Sequence, residues 1–382
     1  MIRESLAHDR ALLGTPGSRA LIDTPALVLD LDAFDANVRA MADFAKARGI
    51  ALRPHAKTHK SIEIAKAQVA AGAIGQCCAK LGEAEVLADG GIGGLLITST
   101  VQDPGKLPRL MALARRSPGL AVVTEDPANA LLLGDAAAAA GVTLDVLIDV
   151  DVGTHRFGVT SPGQAVEIAR AIATRPALRF RGVQGYAGHC QSTPSYSERR
   201  ALSHAAVAVL GKVRDALEAA GFPCPMVTGS GTGTHDFDPE PGVFTELQVG
   251  SYIFCDVVYD NASLTPDGSR RFRNALFVHT RIVSSQHPGY ATSDAGFKAF
   301  ATDGPAPRIA QGAPEGSVYD RFGDHFGKVV LPDPTLRLPV GTLLACIVPH
   351  CDPNVNLYDY YHCVRGDRLV DLWRVDARGC LG

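Results

Sequence analysis

Three cationic side chains and two imidazoles fall within eight residues, Arg53-Pro54-His55-Ala56-Lys57-Thr58-His59-Lys60, directly after the apolar run Ile50-Ala51-Leu52. Pro54 can continue neither a central strand nor a helix interior, so the chain turns there. A lysine crowded by other cations loses part of its preference for the charged form, and a neutral amine attacks a carbonyl to give a Schiff base. The competing reading of the octapeptide alone is a solvated basic turn, or a patch for anions or nucleic acid.

Two other groups carry chemistry. Thr228-Gly229-Ser230-Gly231-Thr232-Gly233-Thr234 offers successive N–H groups, glycines that admit close backbone approach, and the hydroxyls of Ser230 and Thr232. That composition suits an anion such as phosphate, and Gly250-Ser251 can complete the cradle. A plain turn is the alternative. His350-Cys351-Asp352-Pro353 joins an imidazole to a carboxylate, ligands suited to Zn, Mn, Co or a similar divalent ion. If a strand runs on through His350, period-two alternation puts His350 and Asp352 on one face and Cys351 on the other. A capped turn with an ordinary surface Asp competes with the metal reading.

These groups need a frame, and the chain supplies a regular one. Short β-rich runs near residues 50–53, 74–78, 94–98, 120–124, 144–149, 180–186, 225–229 and 246–249 alternate with stretches of helical spacing such as 61–71, 82–89, 126–140, 162–174 and 197–220. Eight strand–helix alternations predict an α/β fold, a (β/α)8 barrel of the TIM type over residues 25–265. An open doubly wound sheet usually carries a GxGxxG after its first strand, and none stands there. Residues 1–24 read as an extended arm. Beyond 265 helical periodicity fades, and runs at 275–284, 328–331, 342–348 and 357–364 predict a smaller C-terminal β domain over 266–382. The early strand at 26–31 belongs either to the barrel or to that β domain. In a barrel, catalytic groups sit on loops after the strands. Lys57 and His59 follow the first strand, Asp149, Asp151, His155 and Arg156 the fifth, Tyr186 and His189 the sixth, and residues 228–235 the seventh.

Bulk properties narrow the function classes. A chain of 382 residues buries a large core in two or three domains. A net charge of -3 argues against a nucleic-acid partner. The N-terminus lacks the apolar segment of a signal peptide, and no run is long enough to span a membrane. Nine cysteines without a CxxC pair predict neither a disulfide framework nor a structural zinc, as in a soluble cytoplasmic protein.

The octapeptide, the Gly-Ser-Gly-Thr-Gly loop, Glu246-Leu247-Gln248-Val249-Gly250-Ser251-Tyr252 and Pro349-His350-Cys351-Asp352-Pro353 occur in this order. Together they resemble the D-threonine aldolase and D-serine dehydratase family of fold-type III pyridoxal phosphate (PLP) enzymes, akin to alanine racemase, over residues 22 to 380. The resemblance implies a PLP barrel, a C-terminal β domain and a homodimer with sites near the subunit interface. It makes Lys57 the Schiff-base lysine and His59 a base beside it. It assigns Gly231, Thr232, Gly250 and Ser251 to the phosphate, and Arg156, Tyr186 and Tyr259 to the cofactor's surroundings. It makes His350 and Asp352 the ligands of a divalent metal ion (Mn, Mg, Co or Zn). Ala79 stands where relatives often carry Gln, and Gly323-Asp324-His325-Phe326-Gly327 departs from their acidic-His-Gly pattern.

The implied reaction is retro-aldol cleavage of a D-3-hydroxy-amino acid, a D-threonine-like small-molecule substrate, to glycine and an aldehyde. The metal would lower the pKa of the β-hydroxyl, and His59 or a water on that metal would take its proton. Dehydration of D-serine or D-3-hydroxyaspartate at the same site is the alternative. A non-catalytic PLP carrier is a third reading, opposed by the appended β domain.

Overall fold

The computed structural model describes residues 4–382. After the strand β1 (Ala26–Asp30) come eight short strands: β2 (Ala51–Leu52), β3 (Gln76–Cys78), β4 (Leu95–Ile97), β5 (Ala121–Thr124), β6 (Leu144–Asp149), β7 (Leu178–Gly185), β8 (Met226–Gly229) and β9 (Glu246–Leu247). All eight lie parallel in the order β2-β9-β8-β7-β6-β5-β4-β3. The edges meet through a parallel bridge between His55 and Cys77, with the N–H of Cys77 donating to the Pro54 carbonyl at 2.8 Å. The predicted barrel therefore closes on itself.

Period-two alternation explains how so short a set of strands fills two cores. Cys77, Leu96, Ala121, Val123, Leu147 and Met226 point inward and fill the barrel. Their neighbours Leu95, Ile97, Val122, Val146 and Ile148 point outward and pack against the surrounding helices. Those helices begin where the sequence caps them. Ser161 accepts from the N–H of Gln164 while Gln164 reaches back to the N–H of Ser161, and Pro162 takes the first helical position, where no N–H is needed. Helix Leu107–Arg116, unmarked above, also belongs to the ring. Between β8 and β9, where a regular barrel carries a helix, residues 230–245 run through turns.

The second sheet is assembled from β10 (Leu276–Ser284), β11 (Tyr290–Ser293), β12 (Arg308–Gln311), β13 (Val318–Arg321), β14 (Gly327–Val330), β15 (Leu343–Ile347), β16 (Tyr360–Arg365) and β17 (Arg368–Arg374). Its path is β13-β14-β11-β10-β1-β16-β17, with β15 paired to β10 and β12. Of the two placements open to the early strand, β1 takes the second: it lies antiparallel to β10 and parallel to β16. Strands β11, β12, β13 and β17 escape a sequence reading; Arg308-Ile309-Ala310-Gln311, for one, is largely solvated and has no apolar alternation.

The N-terminal segment corrects an expectation. Rather than an extended arm, it contains a helix, Glu4–Ala11, and a short 3-10 turn, Ser18–Leu21; residues 1–3 lie outside the described residues. Asp9 accepts from the N–H of Asp23 and meets His362 Nε2 at 2.9 Å, and Ser18 Oγ accepts from the N–H of Leu369. These polar ties to β16 and β17 fold the segment onto the second sheet, where composition alone suggested a solvated chain.

Candidate active site

One cavity of about 580 Å³ opens at the C-terminal end of the barrel strands and reaches the second sheet's domain. Ten of the residues singled out from sequence line it: Lys57, Arg156, Tyr186, Gly231, Thr232, Gly250, Ser251, Tyr259, His350 and Asp352. His59 does not. Its ring is fully buried, Nδ1 accepts the N–H of Ser61, and burial pushes its pKa down to about 4. As a base for a substrate in the cavity, His59 is out of place: the 3-10 turn Ala56–Thr58 sends residues 57 and 59 to different sides.

That turn also revises the argument from crowded cations. Arg53 makes a two-pronged ion pair with buried Glu246 at 2.9 and 3.0 Å, and Lys60 pairs with buried Glu83. His55 is half-buried at the cavity wall and held neutral by desolvation, with Nε2 3.1 Å from Thr98 Oγ1. Arg53 and Lys60 thus turn inward to carboxylate partners, which leaves Lys57 as the charged side chain of the octapeptide that lines the cavity, beside the His55 ring. Its Nζ lies 3.1 Å from Asp352 Oδ2, and that carboxylate raises the lysine's pKa above its ordinary value. Burial alone would raise Asp352, but Lys57 and His350 beside it hold the carboxyl well below the usual range. The reactive feature of Lys57 is position, not a pKa depressed by its neighbours.

The glycine loop after β8 has the form of an anion cradle. Ser230 stands at φ 74°, a left-handed conformation that turns successive peptide units inward. The hydroxyls of Ser230 and Thr232 are buried without a hydrogen-bond partner in the protein. A Cβ on Gly231 would collide with the Gln191 amide, and one on Gly250 would stand 2.5 Å from Thr58 Oγ1. Buried, unpartnered donors are costly unless a ligand satisfies them, so the loop fits a phosphate. His235, held neutral by burial, donates from Nδ1 to the Thr232 carbonyl at 2.7 Å and braces the loop from behind.

His350 and Asp352 reach the cavity by a different local structure from the one expected. Strand β15 ends at Ile347 and Cys351–Val355 forms a single helical turn, with His350 at its N-cap. Pro349 has no N–H for a ladder, so strand alternation cannot persist to Asp352. Capping is done by buried Asp256, which accepts from the N–H of Cys351 at 2.7 Å and from the N–H of Tyr259 at 3.1 Å. The His350 ring is thereby free to line the cavity beside Asp352, while Cys351 is buried. An imidazole and an ionised carboxylate at one wall form a donor set that fits a divalent cation with open positions for water or substrate.

The floor is a belt to which the sequence assigns no role, although Asp149, Thr228 and Gln248 stand in the segments named above. Gln248 Nε2 donates to Gln184 Oε1 at 3.1 Å and to Thr228 Oγ1 at 2.9 Å; Gln184 Nε2 donates in turn to Asp149 Oδ1 at 2.7 Å. Burial pushes Asp149 up to about 8. No spacing rule marks these amides, because the belt crosses four strands, β6 to β9.

The alanine racemase N-terminal domain model matches residues 29–257, and a serine dehydratase domain model matches residues 275–364. The chain is 39% identical to the 3-hydroxy-D-aspartate aldolase of Paracoccus denitrificans (strain Pd 1222), over 94% of this chain and 92% of that protein. It is 38% identical to the D-threonine aldolase of an Arthrobacter species, over 94% of each. The crystal structure of D-threonine aldolase from Filomicrobium marinum superposes with a TM-score of 0.91 at 38% identity, covering 95% of this chain and 98% of that one. Two domain models in the same order as the two sheets, and relatives aligned nearly end to end, carry one conclusion: the chain belongs to the alanine racemase-like family of D-threonine and 3-hydroxy-D-aspartate aldolases.

Proposed function

We propose that the protein is a lyase that uses PLP and a divalent metal ion to cleave D-3-hydroxy-amino acids to glycine and an aldehyde. The observation that carries this reading is the 3.1 Å approach of Lys57 Nζ to Asp352, which sets a covalent anchor and a metal ligand side by side in the cavity that holds the phosphate cradle. When bound, PLP supplies an electron sink for the breaking bond and the metal polarises the β-hydroxyl.

The chain's own residues divide the remaining work. Ser230, Thr232 and Ser251 hold the phosphate end, with the backbone of Gly231 and Gly250 beside it. Lys57 forms the covalent link, with Tyr186 close by: its ring centroid lies 6.0 Å from Nζ. His350 and Asp352 hold the cation. The Asp149–Gln184–Gln248 belt closes the cavity from below and keeps bulk water out of the barrel.

Incubation with D-threonine tests the reading: glycine and acetaldehyde should appear in equal amounts, and D-3-hydroxyaspartate should give glycine and glyoxylate. Formation of 2-oxobutanoate or, from D-serine, pyruvate would establish the dehydratase instead.

The working unit proposed is a homodimer. Val318, Phe322, Phe326 and Val330 on and around the β13–β14 hairpin are exposed large apolar side chains, more than an isolated hairpin leaves in water. Sedimentation that returned a monomer at micromolar concentration would overturn it. All nine cysteines are unpaired, which accords with the cytoplasm as the proposed location; among the described residues no helix is long and apolar enough to cross a membrane.

A further inference from the structure

A short ion pair stands at the cavity wall, beside the proposed metal pair. Asp303, on the loop that follows residues 299–301, places Oδ2 2.7 Å from His350 Nδ1. A carboxylate accepts, so Nδ1 carries the hydrogen and the lone pair lies on Nε2, the other side of the ring. The lone pairs of the two nitrogens diverge, so a carboxylate seated on Nδ1 cannot also reach a cation on Nε2 with that oxygen.

The loop that carries Asp303 is anchored to the turn that carries both ligands. Asn354, fully buried in helix Cys351–Val355, accepts the N–H of Ala301 at 2.9 Å, and Tyr358 Oη donates to the Ala299 carbonyl at 2.9 Å. Gly304 lies against His350, where an added Cβ would meet the histidine's own Cβ at 3.5 Å. Asp303 and His350 therefore move as one piece. Left without a carboxylate, a half-exposed imidazole at an N-cap rotates between rotamers and tautomers, only some of which present a lone pair to the cavity.

We propose that Asp303 is the positioning residue of the metal site: its carboxylate holds His350 in the Nδ1–H form and aims Nε2 into the cavity beside Asp352. The inference rests on the proposed metal role of that pair. It separates Asp303 from the residues that touch substrate or cofactor, and it gives a loop with no recognisable motif a function in metal retention.

Manganese binding to the PLP-loaded enzyme, followed by calorimetry and by the paramagnetic resonance of free Mn2+, tests it on wild type, Asp303→Ala and Asp303→Asn. Asp303→Ala should raise the Mn2+ dissociation constant about 10- to 100-fold. Asp303→Asn should fall between, because its amide oxygen still accepts from Nδ1–H but carries no charge. Saturating Mn2+ should return kcat of both variants to near the wild-type value, with the near-visible absorption of bound PLP unchanged. Wild-type manganese affinity in Asp303→Ala would overturn the inference. So would a kcat that stays low at saturating Mn2+ with unchanged affinity, which would make Asp303 a group acting on substrate. A wild type that binds no manganese would remove the metal reading itself, and this inference with it.

Discussion

Lys57→Ala should lower turnover on the order of 10^3- to 10^4-fold and remove the borohydride-fixed PLP label, with the fold retained. The cavity wall holds a second lysine, Lys80, so the prediction is selective. Lys80→Ala should keep the label, because Lys57 alone stands within 3.1 Å of the carboxylate that is also the proposed metal ligand. Lys60 is excluded by its pairing with Glu83 in the interior. Peptide mapping after reduction reads the outcome directly. A label on Lys80, or full turnover in Lys57→Ala, would defeat the Schiff-base assignment for an aldolase and a dehydratase alike.

Chelation should be the second large effect. Holoenzyme stripped with EDTA should lose activity by about 10^3-fold or more, the loss expected when several kcal/mol of charge stabilisation is removed, and Mn2+ should restore it. The PLP absorption should survive, since the phosphate cradle and Lys57 need no cation. Asp352→Ala carries a second, opposite consequence. Asp352 is the largest cause of the raised Lys57 pKa, so its removal lets that pKa fall and leaves more neutral amine at pH 7 to 8. PLP capture by the apoprotein should then become faster while turnover collapses. Stopped-flow mixing with PLP measures the first and product formation the second. EDTA-insensitive turnover, or PLP capture slowed in Asp352→Ala, would contradict this account.

Barrel order and the three motif-bearing segments are local properties, and they were legible. Strand runs of four to six residues, alternating with helical spacing, imply the parallel sheet because each periodicity is set by the backbone geometry of the segment itself. Gly231 and Gly250 are glycines for a reason that is not local: an added Cβ would strike the Gln191 amide or Thr58 Oγ1. Where the reading failed, a distant partner decided. His59 and Lys57 are two residues apart, and nothing in their spacing shows that one is buried by Ser61 and Tyr361, whose hydroxyl donates to the His59 carbonyl, while the other faces the cavity. The strand expected through His350 became a helical turn because Asp256, almost a hundred residues earlier, supplies the cap.

By itself, then, the sequence determined the barrel, the segment that holds the lysine, the glycine-rich loop and the His–Asp pair, since each depends on residue types within a few positions of one another. Tertiary structure alone decided which of the clustered cations remains free. Arg53 and Lys60 are neutralised by Glu246 and Glu83, from other parts of the chain, and a buried charge persists only where such a partner is brought to it. It also decided that β1 joins β10 to β16 in the second sheet, that the glutamine belt floors the cavity, and that Asp303 meets His350 Nδ1. Those are contacts between residues far apart in the chain, and folding alone brings them together.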